Sequence, residues 1–395
     1  MQNLVKKRVS RILDEVAKKG DRALELFLRK YDGVSISARK FEVPGKRLAD
    51  AFKNLEPRVK KSLETAKKSI EFFHKQELRR INMDWRVDFK GLSVGQKAYP
   101  MASAGVYIPG GRFAYPSTVL MTVVPAKVAG VREIVMVTPP NNMIDEVLAA
   151  AYIAGVDRCF SVGGPAAIAA LAYGTKTIPK VHIIVGPGNV YVTEAKRQVF
   201  GVAGIDGLAG PSEVVVWADA AADMNKVALN LLAQAEHDPR AVSFLLVAGK
   251  SIADGIMGKV NECLKERPVG FKPCVKVEIL KPERNIIGRI NEIAPEHLYL
   301  AIKNPERVLP KITCAGAVFL GVNTPVPLGD YSAGPSHVLP TGASARFSSG
   351  LSVKDFLRWS SIIKNRTVKS SVLFDAAKTI AGVEGLHYHG KALGE

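Results

Sequence analysis

Cysteine is scarce: Cys159, Cys263, Cys274 and Cys314 are the only four in 395 residues, and no two share a short paired spacing. This excludes a cysteine zinc motif and offers no disulfide framework. Long apolar runs are missing as well; no stretch of 18 apolar residues occurs, so no transmembrane helix and no membrane partner is expected. The first residues carry no apolar signal region and follow a charged amphipathic pattern, which points to a cytoplasmic protein. Acidic side chains are outnumbered, 37 against 55 Lys and Arg, for a formal net charge of +18. The basic residues are mixed with acids in segments such as "KKRVSRILDEVAKKGDR" and do not gather with aromatics. That argues against nucleic-acid binding and for a basic surface that attracts anionic ligands.

What is present suits a globular protein: 47% hydrophobic and 23% charged residues over a length that calls for two or three domains. Residues 1–75 read as helices of period near 3.6, and residues 89–108 as strands. From about 118 a rhythm sets in. Helical "VLMTVVPAKVAG" is followed by a strand, "EIVMVTPP", and the alternation continues through "RCFSVGG" and "VHIIVGPGN". A second series starts at "SEVVVWAD" and runs to "GAVFLG", so the two series split near 210. Short buried strands alternating with helices predict an α/β fold with mostly parallel sheets covered on both faces. The tail from about 352, including "SVKDFLRWSSIIKN", reads as a small helical unit.

Three glycine-rich turns stand between strand and helix: "YIPGGRFAYPST" (107–118), "SVGGPAAIAAL" (161–171) and "IIVGPGNVYVTEAK" (183–196). Backbone amides and a helix N-terminus there favour an anion. Neither of the last two fits the spaced-glycine dinucleotide fingerprint: Gly186-Pro187-Gly188 is followed by Asn189, Val190 and Tyr191, so the third glycine is missing. Ordinary tight turns would look the same. The first turn adds Arg112 and two tyrosines, groups able to meet a charged aromatic ligand.

The second set of motifs is polar. "QAEHDPR" (234–240) ends an apolar helix with Gln234 and His237 one turn apart, both able to ligate zinc, or else forms a solvated terminus stopped by Pro239. "IAPEHLYL" puts Glu296 beside His297 on a proline-bounded turn, a carboxylate and imidazole suited to proton transfer. "PLGDYSAGPSHVLPTG" holds Asp330 and His337, and "GVEGLHYHGKAL" holds Glu384, His387 and His389. Each of these residues alone also suits a structural role. Together they gather most of the chain's seven histidines into clusters of metal- and proton-competent side chains.

These motifs resemble the histidinol dehydrogenase family. The likeness is strongest at 186–219, "GPGNVYVTEAKRQVFGVAGIDGLAGPSEVVVWAD", and extends through "QAEHD", "APEHLYL", "GDYSAGPSHVLPTGASARFSSGLSVKDF" and "EGLHYH", about residues 10 to 390. The resemblance implies NAD-dependent, four-electron oxidation of L-histidinol to L-histidine through the aldehyde, the last steps of histidine biosynthesis. It implies one zinc per subunit held by Gln234, His237, Asp330 and His389 of the partner subunit, in a homodimer with a shared active site. Glu296 and His297 would be the acid-base pair. Ser212, His337 and Glu384 would hold the substrate together with the zinc ligands and His297, while Tyr107, Ala166 and Asn189 face NAD. The implied layout is two Rossmann-like, incomplete doubly wound α/β domains with small helical terminal units. It comprises an N-terminal helical arm (1–15), a discontinuous domain carrying the zinc and acid-base residues (16–105 and 212–351), an inserted NAD-binding domain (106–211) and a C-terminal helical unit (352–395) that reaches the partner subunit's site.

Two positions depart from the family pattern: Ala166 stands where a glutamine is usual, and His387 and Tyr388 stand where small residues are usual. His387 could compete with His389 for the metal, although the spacing from "EGL" favours His389. Another polar alcohol, such as a sulfonated diol, is the alternative substrate, but it would call for extra Arg or Lys in the "EGLHYH" and "GDYSAGPSH" motifs. A nucleic-acid-binding protein on a decayed enzyme scaffold would have lost some of these residues, and all of them are present.

Overall fold

A computed structural model describes residues 2–110, 114–266, 271–366 and 372–394. Its strands in chain order are β1 (Glu42–Val43), β2 (Asp84–Phe89), β3 (Leu92–Pro100), β4 (Ser103–Tyr107), β5 (Glu133–Thr138), β6 (Arg158–Ser161), β7 (Ile183–Val185), β8 (Gly204–Ile205), β9 (Glu213–Ala218), β10 (Val242–Val247), β11 (Cys274–Ile279), β12 (His297–Ala301), β13 (Ala317–Leu320) and β14 (Leu357–Asn365). They form a six-stranded sheet ordered β1-β6-β5-β4-β7-β8, a five-stranded sheet ordered β11-β10-β9-β12-β13 and a three-stranded sheet ordered β14-β3-β2. The second sheet is parallel throughout. The first is parallel except for its edge strand β1.

The α/β class expected from the alternation is borne out, for a physical reason. Strands such as β5 and β9 are buried along almost their whole length, as strands covered by helices on both faces must be. In each parallel sheet the chain winds outward one way and then the other. This leaves a topological switch point between β4 and β7 in the first sheet and between β9 and β12 in the second.

The first helix, Gln2–Lys19, buries Val5, Val9, Ile12, Leu13 and Val16 in the core of the first sheet, beside Leu24, Phe41 and Val137. That spacing is the apolar stripe of an amphipathic helix. The first residues are therefore packed against the first sheet, as is Phe41 ahead of β1. The second sheet has a core on each face, one around Val214, Leu231 and Tyr299 and the other around Trp217, Ile287 and Leu300.

The chain divides into two compact units: Met1–Leu78 with Met101–Phe356, and Arg79–Pro100 with Leu357–Glu395. The first holds both parallel sheets. The second holds β2, β3, β14 and the helices Val372–Val383 and His387–Ala392. Here the structure corrects one expectation: residues 357–365 are a strand, paired antiparallel with β3 from Leu357↔Pro100 to Asn365↔Leu92. Trp359, Ile362 and Ile363 suit a pleated surface, and the partner strand lies far away in sequence. A second correction concerns "EHLYL": His297 begins β12, buried from His297 to Ala301 in the sheet interior, where a turn was expected.

Candidate active site

Residues of three polar motifs, Gln234, Glu296 with His297, and Asp330, meet at the amino ends of the second sheet. Ser212 immediately precedes β9, and its carbonyl accepts from Val242 N at the start of β10 (3.1 Å). The helix Met224–His237 starts on an Asp223 cap and runs back against the strands, so Gln234 arrives in its last turn beside those amino ends. The helix Glu283–Ile293 ends with Ala294 in the left-handed conformation, φ 49°, which turns the chain directly into Pro295, Glu296 and β12. Asp330 lies on the short helix Val326–Tyr331.

Four buried or half-buried groups form a chain there. Gln234 Nε2 donates to Glu296 Oε2 at 3.5 Å. Glu296 Oε2 lies 3.7 Å from His297 Nδ1, and His297 Nε2 lies 3.5 Å from Asp330 Oδ1. Glu296 also accepts from the N–H of Glu213 (3.2 Å) and from the hydroxyl of Ser212. His297 is 5% exposed, and no partner meets its Nδ1 at full hydrogen-bond geometry, although the Glu213 backbone is near enough to help raise its pKa. A buried polar atom left in that state is costly in a folded protein and is a common mark of a site that expects a ligand.

The charges are coupled. Burial raises the Glu296 pKa; the His297 charge and the bonds from Ser212 and Glu213 oppose the rise, and the charge of Asp330 adds to it. Burial would lower the His297 pKa, but the carboxylates of Asp330 and Glu296 outweigh it and the net shift is upward. An imidazole between two carboxylates, in a water-poor pocket, can accept a proton and keep it.

His337 stands one step behind this chain. Its Nδ1 bonds the carbonyl of Asp330 (2.7 Å), and its Nε2 bonds the Thr118 hydroxyl (3.1 Å). With Nδ1 donating, Nε2 is the acceptor for Thr118. Thr118 lies in the first turn of the helix Pro116–Ala129, which follows β4 of the first sheet. The helix that carries Asp330 is thereby tied, through His337, to the carboxyl end of the first sheet.

At that carboxyl end lie the expected cofactor residues. Tyr107 closes β4, and its hydroxyl accepts from the N–H of Gly164 (3.3 Å). Burial pushes the Tyr107 phenol up to about 12, so it stays neutral. Ala166 is buried in the first turn of the helix Gly164–Tyr173. Asn189 caps the helix Val190–Val199, its Oδ1 accepting from Tyr191 N and Val192 N at 3.0 and 3.2 Å. Its remaining capacity toward a ligand is therefore its amide NH2.

Some expected residues fall elsewhere. His237 closes the helix Met224–His237, but its side chain lies outside the described residues, as does Arg112. Glu384 and His389 belong to the second unit, where both are exposed; the His387 ring packs edge-on against Tyr388, 5.5 Å between centroids. Among the described residues no group of three or more His, Cys, Asp or Glu side chains is disposed to hold a metal ion. Sequence reasoning missed Thr118, which is 219 positions from its partner His337 and carries no local signal. It also missed Lys196, a lysine on the buried face of a helix, a signal that was legible.

The chain matches the family described as histidinol dehydrogenase over residues 1–395. It belongs to the histidinol dehydrogenase family. It is 45% identical over 393 residues to a histidinol dehydrogenase of Aquifex aeolicus, covering 98% of this chain and 91% of that protein. A histidinol dehydrogenase of Prochlorococcus marinus is 44% identical over 394 residues, covering 98% and 89%. The crystal structure of histidinol dehydrogenase from Elizabethkingia anophelis superposes with a TM-score of 0.91 at 32% identity, covering 98% of this chain and 91% of that one. The family is one of oxidoreductases. Among the described residues no helix is long and apolar enough to cross a membrane.

Proposed function

We propose that this protein oxidises L-histidinol to L-histidine through L-histidinaldehyde, with zinc at the amino ends of the second sheet and two NAD used in succession. The observation that carries the reading is His297: buried and flanked by Asp330 at 3.5 Å and Glu296 at 3.7 Å. Family membership supplies the reaction class.

The residues fit a zinc ion by donor chemistry. Gln234 and Asp330 offer an amide and a carboxylate oxygen, and His237 with His389 of the partner subunit would add two imidazoles, a nitrogen and oxygen set that zinc accepts. Zinc bound there would anchor the amine and imidazole of the substrate and polarise its hydroxyl oxygen. His297 takes the hydroxyl proton as the carbinol carbon loses hydride, and the aldehyde results. Glu296, held by Ser212 and the Glu213 N–H, then draws a proton from the water that hydrates the aldehyde. His297 accepts the second hydroxyl proton as the second hydride leaves, and one water is consumed over the two steps. His337 acts through Asp330, whose backbone it grips.

NAD would lie along the carboxyl ends of the first sheet, against Tyr107, Ala166 and Asn189, and receive the hydride. Glu384 and His389, exposed in their own unit beside the exposed apolar side chains Val383 and Tyr388, suit a segment completed by a second subunit. Steady-state turnover with histidinol, NAD and zinc should yield two NADH per histidinol consumed, and one per histidinol would refute the double oxidation. Mixing inactive His237→Ala and His389→Ala chains should restore activity, and a mixture that stays inactive would refute the shared site.

A further inference from the structure

Lys196 and Asp206 form a buried ion pair that the reaction itself does not use. Lys196 is 2% exposed on the inner side of the helix Val190–Val199, and its ammonium contacts Asp206 Oδ1. The same ammonium donates to the carbonyl of Gly186 at 2.9 Å. Asp206 Oδ2 accepts from the N–H of Gly186 at 2.7 Å. One residue therefore has both its backbone donor and its backbone acceptor held by the two halves of a single ion pair.

Gly186 is the first residue after β7, with φ +114°, and a Cβ there would sit 2.2 Å from the carbonyl oxygen of Tyr107. Its placement fixes the turn against Tyr107 on one side and leads to Asn189 three residues on. Burying two charges costs solvation, and apolar side chains often fill such a space at least as well. Apolar side chains could not grip both polar groups of one peptide residue.

We propose that Lys196 and Asp206 are positioning residues for the dinucleotide: they hold Gly186 so that Tyr107 and Asn189 stand at the spacing the cofactor needs. The proposal rests on the reading that NAD occupies the carboxyl ends of the first sheet. Its test is the double variant Lys196→Met/Asp206→Asn in the zinc-loaded full chain. The asparagine still accepts from Gly186 N–H, the methionine cannot reach the carbonyl, and no buried charge is left alone. NADH titration and the KM for NAD should each weaken about tenfold, as for loss of one well-placed hydrogen bond. KM for histidinol and zinc content per chain should stay within about twofold.

Unchanged NADH affinity in the folded variant would overturn the proposal, and so would equal losses in every parameter, which mark a purely structural pair. Should the double variant fail to fold, Lys196→Arg keeps the charge but alters the reach, and a wild-type KM for NAD there would also overturn it. Asn189→Ala separates the two layers. If it leaves NADH affinity intact, the cofactor reading falls; if it weakens NADH while the ion-pair variants do not, only the positioning role falls.

Discussion

The two parallel sheets offer opposite edges to their proposed ligands. In the first, the candidate residues close or follow the carboxyl ends of strands: Tyr107 at the end of β4, Gly164 and Ala166 after β6, Asn189 after β7. In the second they precede or begin strands: Ser212 before β9, Glu296 and His297 at β12. Connecting helices start at a carboxyl edge and finish at an amino edge. The first edge therefore gathers helix N-termini, whose free N–H groups favour anions such as a pyrophosphate. The second gathers helix C-termini, including that of Met224–His237 with Gln234 in its last turn, and this favours cations. The proposed metal and amino alcohol suit the second edge, the proposed dinucleotide the first. The Thr118–His337 bond is one link between the two edges.

The sharpest way to break this division is at His297. His297→Asn should lower kcat for the first oxidation by about 10²–10⁴-fold, the range for loss of a general base, and leave NADH affinity unchanged. A parallel loss of NADH binding would show that the edges are not separate. Glu296→Gln should spare alcohol oxidation and slow aldehyde oxidation by about 10²-fold, as expected of a lost general base. Assays started from histidinol and from the aldehyde distinguish the steps, and equal slowing of both would merge the two roles.

On the other edge, Gly186→Ala forces a Cβ to 2.2 Å from Tyr107 O at a φ of +114°. The expected cost is about 1–3 kcal/mol of stability, with weaker NADH binding and normal zinc content. Urea unfolding and metal analysis read both. Zinc lost in step with NADH would mean that the amino edge depends on the first sheet's turn.

The alternation of "EIVMVTPP", "RCFSVGG" and "SEVVVWAD" with helical segments is local, because a strand covered on both faces must be apolar along its length. Those elements were legible for that reason. "LRWSSIIKN" was not, since its strand character comes from β3, more than 250 positions earlier in the chain, and in isolation its apolar spacing also suits a helix. "APEHLYL" misled in the same way: a proline and two polar residues announce a turn, while the buried "LYLA" that follows makes Glu296 and His297 the entry to a central strand. The candidate residues were named through family resemblance, but the shared place of Ser212, Gln234, Glu296 and His297 at amino ends was not legible. That place depends on strand order, which arises from long-range pairing. Thr118 and Glu213 gain their roles only from partners distant in sequence.

The smallest expected effect is a pH dependence confined to the amino edge of the metal-free protein. Burial raises the Glu296 pKa, and Asp330 with Glu296 raises that of His297 against burial. A raised folded value means that the folded protein binds more protons than the unfolded chain between the two values, so stability falls as pH rises through that interval. The contribution is complete below the unfolded values, about 4.3 for Glu and about 6.5 for His, and is lost above the folded ones. Chelated protein should therefore melt at a lower temperature near pH ~8 than near pH ~5, beyond the general trend of the chain. Glu296→Gln removes one of the two groups and one support of the other, so it should reduce this difference. Zinc should reduce it in the wild type as well, because the cation takes over the charge balance that the protons supply. Gly186→Ala should lower the melting temperature equally at both pH values. If it altered the pH slope as Glu296→Gln does, the two edges would share one electrostatic network and the contrast between them would fail.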